Sequence, residues 1–358
     1  IQYSDGAGGV SNVYKDAVFH DPVLGDRISS IFQYPNTYAA FLVGVLVVGL
    51  LEFTLKQLKW YLRLFHAVML PLIMLSFFLT NSRGGFLALP VVILLVLVFM
   101  PLKKQVCFLF HTIFILFFSL TVLERIQSWS SLIVFSITLG ILIYLAQVML
   151  DRILFKINDR KSYLPNLIIP GLYSFLGFAT LLILWSGNLP LSDKLPSGIA
   201  RRIESINLQN AFSRNTFYAD SIDLIKDYLF FGAGGGAWSS LYPQYQSYPY
   251  TSNQVHNFFL QYTIEAGIIG LLVLLAILIY VGWLFIRRLV IYKYTEEHYR
   301  SLFFFVLPAA ILFHSVIDFD MTYVYVGALV FLCIGGMVSN VEFPITRIKL
   351  MGIRWNKI

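Results

Sequence analysis

The 358-residue chain is 58% hydrophobic and only 13% charged, with a net charge of +7 and a mean hydropathy of +0.74. A soluble domain runs nearer roughly 45–50% apolar and 25% charged, so an ordinary soluble enzyme, a disordered chain and a nucleic-acid module are excluded. The composition is that of an all-α, polytopic transmembrane helix bundle. Cys107 and Cys333 lie in separate apolar runs. They form neither a disulfide framework nor a metal-ligand spacing and are expected to pack as small apolar side chains.

Residues 1–36 are polar, neither a span nor a signal peptide, and read as an external N-terminal segment. The chain starts at Ile1. An external start without an export signal predicts further spans ahead of Ile1 in the natural protein. Nine apolar stretches follow, at about 37–54, 61–79, 86–101, 105–122, 132–150, 165–186, 264–286, 301–317 and 322–340. Each approaches the roughly 20 residues that cross about 30 Å of hydrocarbon. Spans one to six occupy 37–186, an external capping loop 187–263, spans seven to nine 264–340, and a tail 341–358. One set of connections holds Lys56, Lys59, Arg63, Lys103, Lys104, Arg152, Lys156, Arg160, Lys161, Arg287, Arg288, Lys293 and Arg300, and the tail adds Arg347, Lys349, Arg354 and Lys357. This basic majority marks the cytoplasmic side, which puts the C-terminus inside and the long loop outside.

Loops as long as 187–263 are usually functional or disordered, and this one carries order signals. Phe217, Ile222, Leu224, Ile225 and Leu229 fall at partly helical spacing within 211–230, with Asp220, Asp223 and Asp227 on another face. Gly232, Gly234, Gly235 and Gly236 end that helix, and Trp238, Tyr242, Tyr245, Tyr248 and Tyr250 follow. Gly232, Gly234 and Ala237 fit a loose dinucleotide fingerprint. That motif needs a preceding strand and a βαβ unit, whereas here a helix precedes, so a dinucleotide site is rejected. The loop is charge-balanced, so anion binding has to come from individually positioned arginines.

The polar residues at span ends gather on the external side. Arg27 precedes the first span, and Arg83 ends the second. Arg201, Arg202 and Arg214 lie in the long loop. His256 and Asn257 stand at its end, Glu265 begins the seventh span, and His314, Asp318 and Asp320 occupy the last outer turn. Taken singly, such arginines snorkel to headgroups, a histidine is structural, carboxylates pair within the bundle, and tyrosines form an interfacial belt. Pro35 and Asn36 read singly as a turn. Convergence on one face, beside a loop able to cover them, favours a site.

Four blocks carry a resemblance: RISSIFQYPNTYA (27–39), LTNSRGGFLAL (79–89), SRNTFYADSIDLIKDYLFFGAGGGAW (213–238) and VHNFFLQYTIEAGIIGLL (255–272), with HSVIDFDM (314–321) as a last outer turn. In these the chain resembles the O-antigen ligase and polymerase family of bacterial membrane glycosyltransferases. The resemblance implies a fold of the lipid-linked-sugar glycosyltransferase type and a location in the bacterial cytoplasmic membrane with the site facing outward. It implies a glycan donor on undecaprenyl diphosphate and a surface glycan, glycolipid or protein acceptor, with no cofactor and no metal ion. The family usually has about twelve spans, which agrees with spans missing ahead of Ile1. Carried over block by block, Arg27, Arg83 and Arg214 would contact diphosphate or glycan and His256 would be the base. Arg201 and Arg202 are weaker candidates for the same contacts, because no clear motif surrounds them.

A sugar hydroxyl attacking an anomeric carbon needs its proton removed and the departing diphosphate neutralised. Guanidinium groups stay charged and present forked donors to phosphate, and histidine titrates in the range suited to general-base work. Glu265 lies nine residues beyond His256, about 13 Å away if the stretch is helical, so Asp318 or Asp320 is the better partner for His256. Trp238, Tyr242 and Tyr245 are candidates for stacking on sugar faces. Ligase and polymerase remain alternatives. So do a polytopic transporter, a non-catalytic envelope scaffold and a peptidoglycan-type polymerase resting on Asp318 or Asp320.

Overall fold

The computed structural model describes residues 2–4, 10–12, 18–21, 25–55, 58–123, 125, 128–154, 164–185 and 208–339. Arg201, Arg202 and the tail 341–358 lie outside them. Two short antiparallel hairpins come first, β1 (Gln2–Ser4) with β2 (Val10–Asn12) and β3 (Val18–Asp21) with β4 (Gly25–Ile28). They add strands to a segment that composition marks only as polar. Every other described element is helical: α1 (Pro35–Leu55), α2 (Trp60–Leu79), α3 (Arg83–Leu97), α4 (Leu102–Val122), α5 (Trp129–Leu154), α6 (Ile168–Trp185), α7 (Leu208–Asp227), α8 (Ala237–Tyr245), α9 (Phe258–Ile291), α10 (Glu296–His314) and α11 (Val324–Val338), with short 3-10 turns between some of them.

Five described helices are long and apolar enough to cross a membrane: α1, α2, α4, α5 and α9. Three more, α3, α6 and α11, are apolar but shorter, and α10 carries Glu296 and Glu297 in its first turn. The protein is therefore a multi-pass membrane protein. α1 is its central helix: its apolar residues are buried among α2, α3, α4 and α10. Pro35 stands at its first position, where the missing N–H costs no hydrogen bond. Gly44 lets α10 approach, since a side chain there would overlap Leu307.

The stretch 264–286 is part of a longer helix with a defect. α9 starts at Phe258, capped by the Asn257 side chain, which accepts from Leu260 N at 3.1 Å. At Gly267 the backbone leaves helical values (φ 71°, ψ 179°), a region open essentially to glycine alone. The segment after α7 fills the break: Ala233 N donates to Ile264 O and Gly234 N to Glu265 O, while Ile268 N donates to Leu229 O. Gly232 (φ 71°) lies against the Glu265 carbonyl, and Gly267 against the Phe230 carbonyl, with no room for a Cβ at either. These glycines join the lid formed by α7 and α8 to α9 rather than serving only to stop a helix.

Candidate functional site

The site is organised around Asp318, in the turn between α10 and α11. Its side chain is 2% exposed and is approached from three other parts of the chain. From the start of α1, Asn36 Nδ2 donates to its Oδ2 at 2.8 Å and the Tyr34 hydroxyl lies 3.3 Å away. His256 Nδ1, just before α9, is 3.2 Å from Oδ1. Arg214, on α7, places Nη2 3.7 Å from Oδ2 and donates from Nη1 to the Ile317 carbonyl at 2.5 Å. Phe319 N donates to Oδ1 at 3.1 Å. Burial alone would raise the Asp318 carboxyl. The His256 hydrogen bond and the neighbouring His314 and Arg214 outweigh it and hold the group below the usual carboxylate range. Burial and the Asp318 charge push the Tyr34 phenol well above its ordinary value, so it remains a donor.

His256 is held as firmly as its partner. Its backbone is in the left-handed region (φ 57°), a conformation costing of order 1–3 kcal/mol that persists only where surroundings enforce it. Here the Tyr218 hydroxyl donates to the His256 carbonyl at 2.9 Å. Phe258 N, two residues on, donates to the Ser315 and Asp318 carbonyls at 3.0 and 2.9 Å. The ring stacks near Phe217 and meets Phe319 edge-on. Its side chain is 27% exposed. An ionised Asp318 can only accept, so it favours the tautomer with the proton on Nδ1 and a lone pair on Nε2, the form a general base needs.

Arg83 is half-buried, at the first position of α3, and is engaged within the protein. Ser82 caps that helix by accepting from Gly85 N at 3.2 Å. Gly84 packs on His314 Nε2 and the Ile317 side chain, leaving no space for a Cβ. The start of α3 therefore abuts the same turn that Arg214 grips.

Behind this layer lies a second pair. His314 and Asp320 are both fully buried, with Nδ1 2.5 Å from Oδ2, and Thr37 Oγ1 donates to Asp320 Oδ1 at 2.7 Å. Asp320 is thus bound to His314, and Asp318 is the partner of His256.

Three expectations change. Arg27 is enclosed, with Nε donating to the Thr80 carbonyl at 2.8 Å and Nη2 to Asn36 Oδ1 at 2.7 Å. It braces Asn36, which in turn holds Asp318, so its guanidinium is not presented to a ligand. Glu265 serves the lid joint, where it accepts from Gly236 N and Gln261 Nε2. Trp238 is wholly buried and stacked on Tyr242, which stacks on Tyr250, so Trp238 has no face to offer a sugar. Tyr242 and Tyr245 are half-buried, and Tyr245 donates to Asp227 at 2.7 Å, a bond that pushes its phenol up to about 12. The Tyr250 hydroxyl donates to Asp220 at 2.7 Å. The aromatic run is largely the lid's own core.

Reasoning from the sequence passed over Tyr34 and Tyr218 and took Asn36 for part of a turn. The one available signal was Asn36, a hydrogen-bonding side chain set at the edge of an apolar span.

No curated protein and no solved structure matches the chain. A family profile described as O-antigen ligase matches residues 66–275, well over half of the chain. The matched region runs from α2 into α9 and includes Arg83, Arg214, His256 and Glu265. The chain belongs to the O-antigen ligase family.

Proposed function

We propose that the protein is an O-antigen ligase-like membrane glycosyltransferase. It moves a glycan from undecaprenyl diphosphate to a surface acceptor on the external side of the bacterial cytoplasmic membrane, with the basic connections and the C-terminus in the cytoplasm. The observation that carries this reading is the His256–Asp318 pair, with Arg214 gripping the same turn. The acceptor hydroxyl gives its proton to His256 Nε2 as its oxygen bonds to the anomeric carbon. The bond from that carbon to the diphosphate breaks, and the electron pair leaves with the phosphate. Asp318 stabilises the imidazolium that forms. Arg214 and Arg83 meet the charge growing on the leaving group, the role a divalent cation fills in many soluble glycosyltransferases, and fixed cations at such a point are often a large catalytic contribution.

Purified protein in vesicles, given one defined lipid-diphosphate-linked glycan, tests this. Consumption of the donor with glycan appearing on a separate acceptor supports the ligase. Elongation without a second acceptor identifies a repeat-unit polymerase using the same groups. Passage of a small solute with no transfer overturns both readings.

A further inference from the structure

The lid carries one concentrated apolar patch. Four consecutive residues after α7, Tyr228, Leu229, Phe230 and Phe231, are exposed, Phe230 at 62% and Phe231 at 81%. Contiguous exposed apolar surface of this kind marks a contact with lipid or another molecule. The patch is fixed in place rather than free at a loop tip. Gly232 N donates to the Tyr228 carbonyl at 2.9 Å, Ile268 N to the Leu229 carbonyl at 2.8 Å, and Ile269 N to the Phe230 carbonyl at 3.4 Å.

The depth of α9 in the membrane therefore sets the depth of the patch. Between Glu265 and Arg287 the sequence has no charged residue. The rise from Ile268, the first residue past the break, to Arg287 is about 28 Å at 1.5 Å per residue. That distance matches the roughly 30 Å hydrocarbon core, so Ile268 marks its outer boundary and the patch bonded to Ile268 sits at the same level. The exposed apolar face of α9 continues from there through Ile269, Leu272 and Val273, which makes the patch an extension of the protein's lipid-facing surface. Tyr228 is of a type favoured at this boundary, and Leu229, Phe230 and Phe231 are apolar enough to enter the acyl chains.

We propose that Tyr228–Phe231 is a membrane-inserted wedge, anchoring the lid in the acyl chains of the outer leaflet at the height where α9 enters the bilayer. The test is a polarity-sensitive fluorophore on Phe231→Cys in a Cys107→Ala, Cys333→Ala chain, reconstituted in phosphatidylcholine–phosphatidylglycerol vesicles. Ser239→Cys, at an exposed position on α8, is the aqueous control. Phe230→Cys carries the label if the first variant does not melt like its parent. Expected at Phe231 are blue-shifted emission, loss of that emission when the lipid carries a nitroxide high on the acyl chain, and no response to iodide; Ser239 shows the reverse. Quenching by iodide without quenching by the nitroxide lipid overturns the wedge. Protection from both quenchers also overturns it, because a protein then covers the patch.

Discussion

Asp318→Asn probes the centre of the network with almost no change of shape. The present carboxylate accepts from His256, Asn36 and Phe319 N and faces Tyr34 and Arg214. An amide has one accepting end. If its oxygen faces His256, its NH2 meets Asn36 Nδ2 and Arg214, donor against donor. Asn36 cannot turn over to relieve this, because its Oδ1 already accepts from Arg27. If the amide turns instead, its NH2 donates to His256 Nδ1 and drives the imidazole proton onto Nε2, the wrong atom for a base. The first arrangement leaves a buried donor unsatisfied, about 1–3 kcal/mol, and loses a charge-assisted hydrogen bond worth about 1.5–3 kcal/mol. At about 1.4 kcal/mol per factor of ten, the lost bond alone slows transfer roughly 10- to 150-fold. The second arrangement removes general-base catalysis altogether, roughly 10²–10⁴. The assay is single-turnover transfer from a defined lipid-diphosphate donor, with donor affinity measured separately. The turnover step should fall by these factors while donor affinity stays near that of the parent. Transfer by Asp318→Asn at close to the parent rate would refute the assignment of Asp318 as the residue that orients His256.

His256→Ala should lose roughly 10²–10⁴ in turnover, with the protein still melting cooperatively in detergent. Arg214→Lys keeps a charge but loses the fork that reaches both Ile317 and Asp318; Arg83→Lys likewise loses its fork. Each should slow transfer by on the order of 10², and near-normal product formation by either would count against its place in the diphosphate clamp. Gly267→Ala puts a Cβ against the Phe230 carbonyl at a backbone conformation other residues avoid. It should loosen the lid, seen as faster tryptic cleavage at Lys226, whereas Gly282→Ala, in open space on the same helix, should behave like the parent. The depressed Asp318 carboxyl contributes stability that is fully present above its unfolded value near about 3.9 and is lost as pH falls through the lower folded value. The melting-temperature advantage of the parent over Asp318→Asn should therefore hold at neutral pH and shrink under acid.

What the sequence discloses and what it hides divide along physical lines. Apolar runs of membrane length mark helices, and helices are where those runs lie. The helical spacing in 211–230 marks α7. Arg214 and His256 stand out only together with the other polar residues that converge on one face, since singly each has an ordinary structural reading. The pairing of His256 with Asp318 is another matter. The two residues are 62 positions apart and meet only because α10 returns along α1 and brings the turn after it to the start of α9. No local pattern separates Asp318 from Asp320 two residues on, yet one faces His256 and the other is locked to His314 inside the bundle.

Glu265 and the aromatic run show the opposite difficulty, since each reads from the sequence as a candidate for the site and serves the lid instead. Glu265 follows His256 closely in sequence, though nine helical residues are too many for a direct pairing, and a row of tyrosines suits stacking on sugar faces. Both belong to the fastening of the lid, which has its own core and its own joint to α9. Asp220 and Asp227 accept from Tyr250 and Tyr245, Trp238 fills the centre, and Glu265 with Gly232 and Gly267 makes the joint. The break at Gly267 also relates the joint to the chemistry. It separates the first turns of α9, which follow directly on His256, from the membrane-crossing remainder. The lid bridges that break, and it cannot detach without parting Tyr218 from the His256 carbonyl and Arg214 from the turn that holds Asp318.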